Sequence, residues 1–171
     1  MKGLFIEDYE RFTPHKFNFG ACFIRLIRNH ELRYIFWGRI NQESDSKIIQ
    51  IISSMIIRSY RRKYGLELNF CNLGGGIRLI HPWNITMNSN AIIGRNCTLF
   101  KGCTIGAVDE GINKGCPIMG DDVTVYANAT ICGNIKVGNR VKVAAGAFIN
   151  FNVPDDATVI GNPGVIHEKT L

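Results

Sequence analysis

The chain has 171 residues and a hydrophobic fraction of 46%, enough for one packed domain with a small appendage. Twenty Lys and Arg against 14 Asp and Glu leave a net charge of +6, which suits phosphorylated partners or an anionic surface without choosing among them. The basic residues are not interleaved with aromatics and form no groove-reading motif, so nucleic acid is not an expected partner.

In chain order, residues 18 to 64 carry apolar side chains at helical spacing. Phe19, Cys22, Phe23, Leu26 and Ile27 form one stripe, and Ile48, Ile51, Ile52, Met55 and Ile56 form a second. Two amphipathic helices fit this pattern. The polar break at 41–46 offers Ser44 or Asp45 as an N-cap, and Gly65 supplies a stop. The second helix ends in Arg58, Arg61, Arg62 and Lys63. These cations complement the negative end of the helix dipole, or meet an anionic membrane or CoA phosphates. Apolar runs such as 47–57 are broken by charged or polar residues well short of the roughly 20 needed for a membrane span, so membrane contact is at most peripheral. The six cysteines, Cys22, Cys71, Cys97, Cys103, Cys116 and Cys132, form no CxxC pair and follow no secretory leader. Reduced thiols are expected, in the cytoplasm or at the inner membrane surface.

After Leu66 the helical beat gives way to a period of six. Met119, Val125, Ile131, Val137, Val143 and Ile149 are six apart; Val123, Ala129, Ile135, Val141, Ala147 and Val153 form a second ladder four residues on. Upstream, Ile93, Leu99 and Ile105 keep the beat with Ala91, Cys97 and Cys103 beside them. The spacing of 14 between Ile105 and Met119 requires an external loop at about 108–117. A six-residue apolar beat with Gly or Asn at the corners describes a triangular parallel β-helix, three short strands to a coil. Coils stack at the ordinary strand spacing of about 4.8 Å. The division is therefore a helical region at 1–66 and a β-helix with a C-terminal tail at 67–171, a mainly β fold with an α-helical N-terminal region.

The stretches GIRLIHPWNITMNSNAIIGRNCTLFKGCTIG, PIMGDDVTVYANATICGNIKVGNRVKVAAGAFI and NVPDDATVIGNPGVI resemble the hexapeptide-repeat acyltransferases, in particular the serine acetyltransferase branch and its polysaccharide O-acetyltransferase relatives. The resemblance covers Gly76 to Glu168. It implies a left-handed parallel β-helix, acetyl-CoA as acyl donor, and a homotrimer whose subunit grooves hold the donor; no metal is expected, because His81 alone of the four histidines lies within the repeats and a zinc site keeps at least three protein ligands. His81 falls where the family places its catalytic base; imidazole suits the removal of a hydroxyl proton near neutral pH. Glu67 falls near the position of the acid partner after one gap. On the same analogy Gly106, Ala107, Ala127, Ala145 and Gly146 lie along the pantetheine arm, and Lys142, Asn162 and Pro163 toward the nucleotide. Asn84 and Cys116 are assigned to the acceptor side.

Two departures bear on the acceptor. Ile80 stands where the serine enzymes carry an Asp before the catalytic His, and Cys116-Pro117 replaces a His-Pro in the external loop. Without that acid a substrate ammonium loses its partner, so a hydroxyl of a sugar or surface-polysaccharide precursor is expected, with serine, an antibiotic or a non-catalytic trimeric scaffold as alternatives. Val165 also stands where an Arg often follows the Gly-x-Pro turn. One reading from the residues conflicts with the resemblance: counting back in sixes from Ile93 places His81 on an inward ladder, unless the glycines at 74–76 and Pro82 disturb the first coil.

Overall fold

A computed structural model describes residues 3–13 and 15–167, and the end of the expected C-terminal tail, 168–171, lies outside the described residues. Four helices come first: α1 (Gly3–Phe12), α2 (Phe19–Arg28), α3 (His30–Glu43) and α4 (Lys47–Tyr64). Fourteen short strands follow: β1 (Leu66–Glu67), β2 (Arg78–Ile80), β3 (Ile85–Met87), β4 (Ile92–Ile93), β5 (Thr98–Phe100), β6 (Thr104–Gly106), β7 (Ile118–Met119), β8 (Thr124–Val125), β9 (Thr130–Cys132), β10 (Lys136–Val137), β11 (Lys142–Val143), β12 (Phe148–Ile149), β13 (Thr158–Ile160) and β14 (Val165–His167).

The strands build three parallel faces: β1-β3-β6-β9-β12, β4-β7-β10, and β2-β5-β8-β11-β13 with β14 added antiparallel at its edge. Successive strands move from face to face, so the chain winds a three-sided prism. Both ladders of the period-six pattern are buried inside it, with Leu99, Ile105, Val125, Ile131, Val143 and Ile149 fully enclosed. The hydrophobic effect fixes this register, because a one-residue slip would turn the ladder out to water.

Each coil is three hexapeptides long where the beat is regular, as where Lys142 pairs with Thr124, and three of the departures from that bear on the sequence reading. Ile118 pairs with Ile92, so the whole external loop is inserted within that coil. Its arms are bonded to each other, Val108 N to Gly115 O at 3.0 Å and Gly115 N to Val108 O at 2.9 Å, and Asn113 O accepts from Asn134 N at 2.9 Å. The loop thus lies against the following coils. Leu79 pairs with Leu99 where a regular coil would offer Cys97, so the corner at 81–84 is lengthened. That corrects the backward count: His81 leaves the inward ladder and is exposed. Val153 pairs with Val137 rather than joining the ladder of Ile135, because the corner after Ile149 is shortened.

The helical region is also corrected. Four helices replace the expected two. Asn29 ends the predicted first stripe, its N–H bonded to Arg25 O at 2.8 Å, and the chain restarts as α3. Helix α3 was hidden because it sits among the other three and buries Leu32, Tyr34, Ile35, Gly38 and Arg39 on several sides, leaving no single apolar stripe. The N-cap position of α4 falls on Ser46 rather than Ser44 or Asp45, without a side-chain capping bond, and Gly65 ends the helix in the left-handed region at φ 66°. Both predicted stripes are largely exposed: Phe19, Phe23, Ile27, Ile48, Ile51, Ile52 and Met55 face out.

The open end of the prism is closed by a buried ion pair. Arg39 donates to Asp8 at 2.8 and 3.3 Å and to the carbonyls of Leu73 and Gly74 at 2.7 and 2.6 Å, while Asp8 accepts from Ile77 N at 2.8 Å. Arg11 adds bonds to Gly76 O at 2.6 Å and Cys97 O at 2.8 Å. At Leu73, Gly74, Gly76 and Ile77 these three side chains occupy backbone groups that the first coil has no earlier coil to pair with, while Cys97 O on the next coil is shared between Arg11 and Arg78 N.

Candidate functional site

His81 stands at the corner between β2 and β3. Its φ is 49°, and Asn84 further along the corner has φ 52°, so the HPWN corner carries two residues in the left-handed region, a strain that the buried Pro82 and the adjoining coils hold in place. Trp83 O accepts from Gly102 N at 2.8 Å, and Asn84 N donates to Tyr64 O at 2.7 Å. Asn84 occupies the same left-handed position as Gly102, Asn128 and Gly146 on later coils, which accounts for a short polar side chain there.

These corners stack into one edge. Lys101 O accepts from Asn128 N at 3.0 Å, Ala127 O from Gly146 N at 2.9 Å, and Gly161 O from Phe148 N at 3.1 Å. The edge therefore runs from His81 past Lys101 and Gly102, Ala127 and Asn128, Ala145 and Gly146, to Gly161, Asn162 and Pro163, with a cis Asn162–Pro163 bond. Five of the residues assigned to the donor share this edge with His81: Ala127, Ala145, Gly146, Asn162 and Pro163. No heavy atom lies within 4 Å of a Cβ built on Gly146, so the track is open there. Lys142 projects from the face leading into the edge and is exposed, whereas Gly106 and Ala107 sit across the neighbouring face where the external loop leaves.

A cleft of about 580 Å³ surrounds His81, lined by His30, Pro82, Trp83, Asn84, Lys101, Gly102 and Asn128. The period of six gave no sign of His30, which reaches the cleft from the start of α3. The His30 ring stacks on Tyr64 at 5.0 Å and 17°, Tyr64 meets Trp83 edge-on at 5.5 Å, and His30 Nδ1 lies 3.3 Å from the Glu31 carboxylate. No carboxylate lines the cleft among the described residues. Ile80, half-buried beside His81, pairs with Phe100, which packs on Tyr126 at 5.0 Å.

Two assigned residues are held elsewhere. Glu67 is paired with Arg61 at 2.7 Å and lines a separate cavity of about 410 Å³ between α3, α4 and β3. Cys116 is half-buried at the end of the external loop, its thiol 3.3 Å from Asn88 Oδ1, outside the His81 cleft. Of the other thiols, burial pushes Cys97 up to about 11 and Cys103 up to about 12, which leaves them inert core residues.

Residues 117–150 match the family described as bacterial transferase hexapeptide (six repeats). The serine acetyltransferase of Synechococcus elongatus is 32% identical over 117 residues, 68% of this chain and 48% of that protein. The serine acetyltransferase of Bacillus pumilus is 26% identical over 147 residues, 85% of this chain and 68% of that one. A crystal structure of Neisseria gonorrhoeae serine acetyltransferase in complex with serine superposes with a TM-score of 0.75 at 25% identity, covering 96% of this chain and 67% of the other. Residues 117–150 therefore carry the hexapeptide repeat, and the fold is the left-handed β-helix shared with that structure. It spans about half the length of the Synechococcus relative.

Proposed function

We propose that this chain is an acetyl-CoA-dependent O-acetyltransferase with His81 as general base. The observation that carries the reading is the edge itself: an exposed imidazole at one end and, coil after coil, small residues on which an extended thioester donor can lie against backbone. In the reaction, His81 takes the proton of an acceptor hydroxyl as its oxygen attacks the thioester carbonyl. The tetrahedral intermediate then collapses, the C–S bond breaks, and the imidazolium returns the proton to the departing CoA thiolate. Such proton transfer contributes typically about 10²–10⁴-fold to rate. The donor is a substrate, and no metal enters the scheme. A homotrimer, whose grooves would bring Gly106 and Ala107 of one subunit toward the edge of the next, and a cytoplasmic location belong to the same proposal.

For the acceptor, the relatives support L-serine first. A second reading, a neutral hydroxyl of a sugar, is favoured by the cleft: Ile80 replaces an acid, no described carboxylate lines the cavity, and Trp83, 57% exposed, presents an aromatic wall of the kind that packs on sugar C–H faces. Free-thiol release from acetyl-CoA with serine, nucleotide sugars and oligosaccharides separates the two. His81→Ala is expected to stop acceptor-dependent release while acetyl-CoA still binds; unchanged turnover in that variant defeats the mechanism.

A further inference from the structure

Helices α2 and α4 bury little of what they carry. On α2, Phe19, Phe23 and Ile27 follow one another at i, i+4 and i+8, all more than half exposed, with Ile24 beside them. On α4, Ile48, Ile51, Ile52 and Met55 make a second outward face, Ile48 at 71% exposure and Met55 at 65%. Arg58 and Arg62, at helical spacing beyond Met55, continue that face, so it passes from apolar to cationic along the helix. Neither α2 nor α4 contains an Asp or Glu. Together they hold seven cations: Arg25, Arg28, Lys47, Arg58, Arg61, Arg62 and Lys63, of which Arg61 is engaged by Glu67.

This charge pattern selects the occupant. A second copy of the same face would bring cations against cations with no carboxylate on either helix to answer them, a juxtaposition that disfavours self-association. An anionic bilayer answers both features at once, since isoleucine and phenylalanine enter the headgroup boundary while arginines meet lipid phosphates. No described helix is long and apolar enough to cross a membrane, so contact would be in the interface plane. We infer that the outward face of α4, reinforced by that of α2, is a peripheral docking surface for an anionic lipid bilayer. The inference does not depend on which acceptor the cleft takes.

The test is sedimentation of the full chain with vesicles of phosphatidylcholine alone and of equal parts phosphatidylcholine and phosphatidylglycerol, at low and high salt. Binding is expected only to the anionic vesicles and should weaken with salt. Arg58→Gln with Arg62→Gln is expected to lower the partition about twenty-five-fold, each cation near a charged surface being worth roughly a factor of five. Ile48→Ser, Ile51→Ser and Met55→Ser together should abolish binding while the melting temperature holds, and Phe19→Ser with Phe23→Ser should reduce it. Equal binding to both vesicle types, or none, overturns the proposal. So does a change of oligomeric mass in the α4 variant without vesicle binding by the parent, which assigns the face to a second copy.

Discussion

Replacing Arg39 by Met tests whether the ion pair at the mouth of the prism holds the helices on the β-helix. The substitution keeps an apolar stem and removes the guanidinium, which leaves Asp8 buried without its partner and the carbonyls of Leu73 and Gly74 without their donors. Breaking a buried pair from one side costs about 3–5 kcal/mol. For a chain of this size that is a fall of roughly 10 °C in melting temperature, followed by far-ultraviolet circular dichroism at fixed protein concentration. Adding Asp8→Leu should recover part of the loss, because the uncompensated carboxylate disappears while the unpaired carbonyls remain. pH gives a second check. Burial already pushes the Asp8 carboxyl above the usual aspartate range, with Arg39 pulling it back. A carboxyl raised in the folded state favours folding below its unfolded value and loses that contribution as pH rises through its folded value. Without Arg39 the shift grows, so the Arg39→Met deficit should shrink as pH is lowered from neutral into the acid range. A variant melting within about 2 °C of the parent, or a deficit flat with pH, would refute the capping argument.

Three further outcomes follow from the site and the core. His30→Ala should raise the KM for the acceptor several-fold with the KM for acetyl-CoA unchanged, since His30 lines the His81 cleft from the side away from the edge; equal changes in both would place it outside acceptor binding. Gly102→Ala should destabilise the chain by about 1–2 kcal/mol in urea unfolding, because a Cβ at φ 71° is strained and would collide with the Asn128 side chain on the next coil. In thiol alkylation at mildly alkaline pH followed by mass spectrometry, Cys71, which is exposed, should react first. Cys97 and Cys103 should react only after denaturation, being both buried and raised in pKa.

The β-helix was legible because its rule is local. Two inward residues in every six fill the prism up to Ile149, and the broken beat between Ile105 and Met119 announces the external loop. The same rule fails wherever a corner changes length, since a longer or shorter corner is invisible to hydrophobicity: counting in sixes turns His81 inward, against the resemblance, and sets Val153 on the ladder of Ile135 instead of Val137. In the helical region the most regular stripes, those of Phe19 and Ile48, proved to face out, and the helix with no stripe, α3, proved to be the buried one.

The sequence by itself determined the winding of the chain and the small residues along its edge, because both repeat at short range under a single steric and hydrophobic constraint. Only the tertiary structure decided what lies beside His81 and what closes the first coil. His30 and Trp83 are distant along the chain, as are Asp8 and Arg39, and each pair meets only because helices from the front of the chain pack together at the first coil. No local pattern encodes such contacts; they are fixed by the need to pair the open edge of the prism and to cover its apolar mouth.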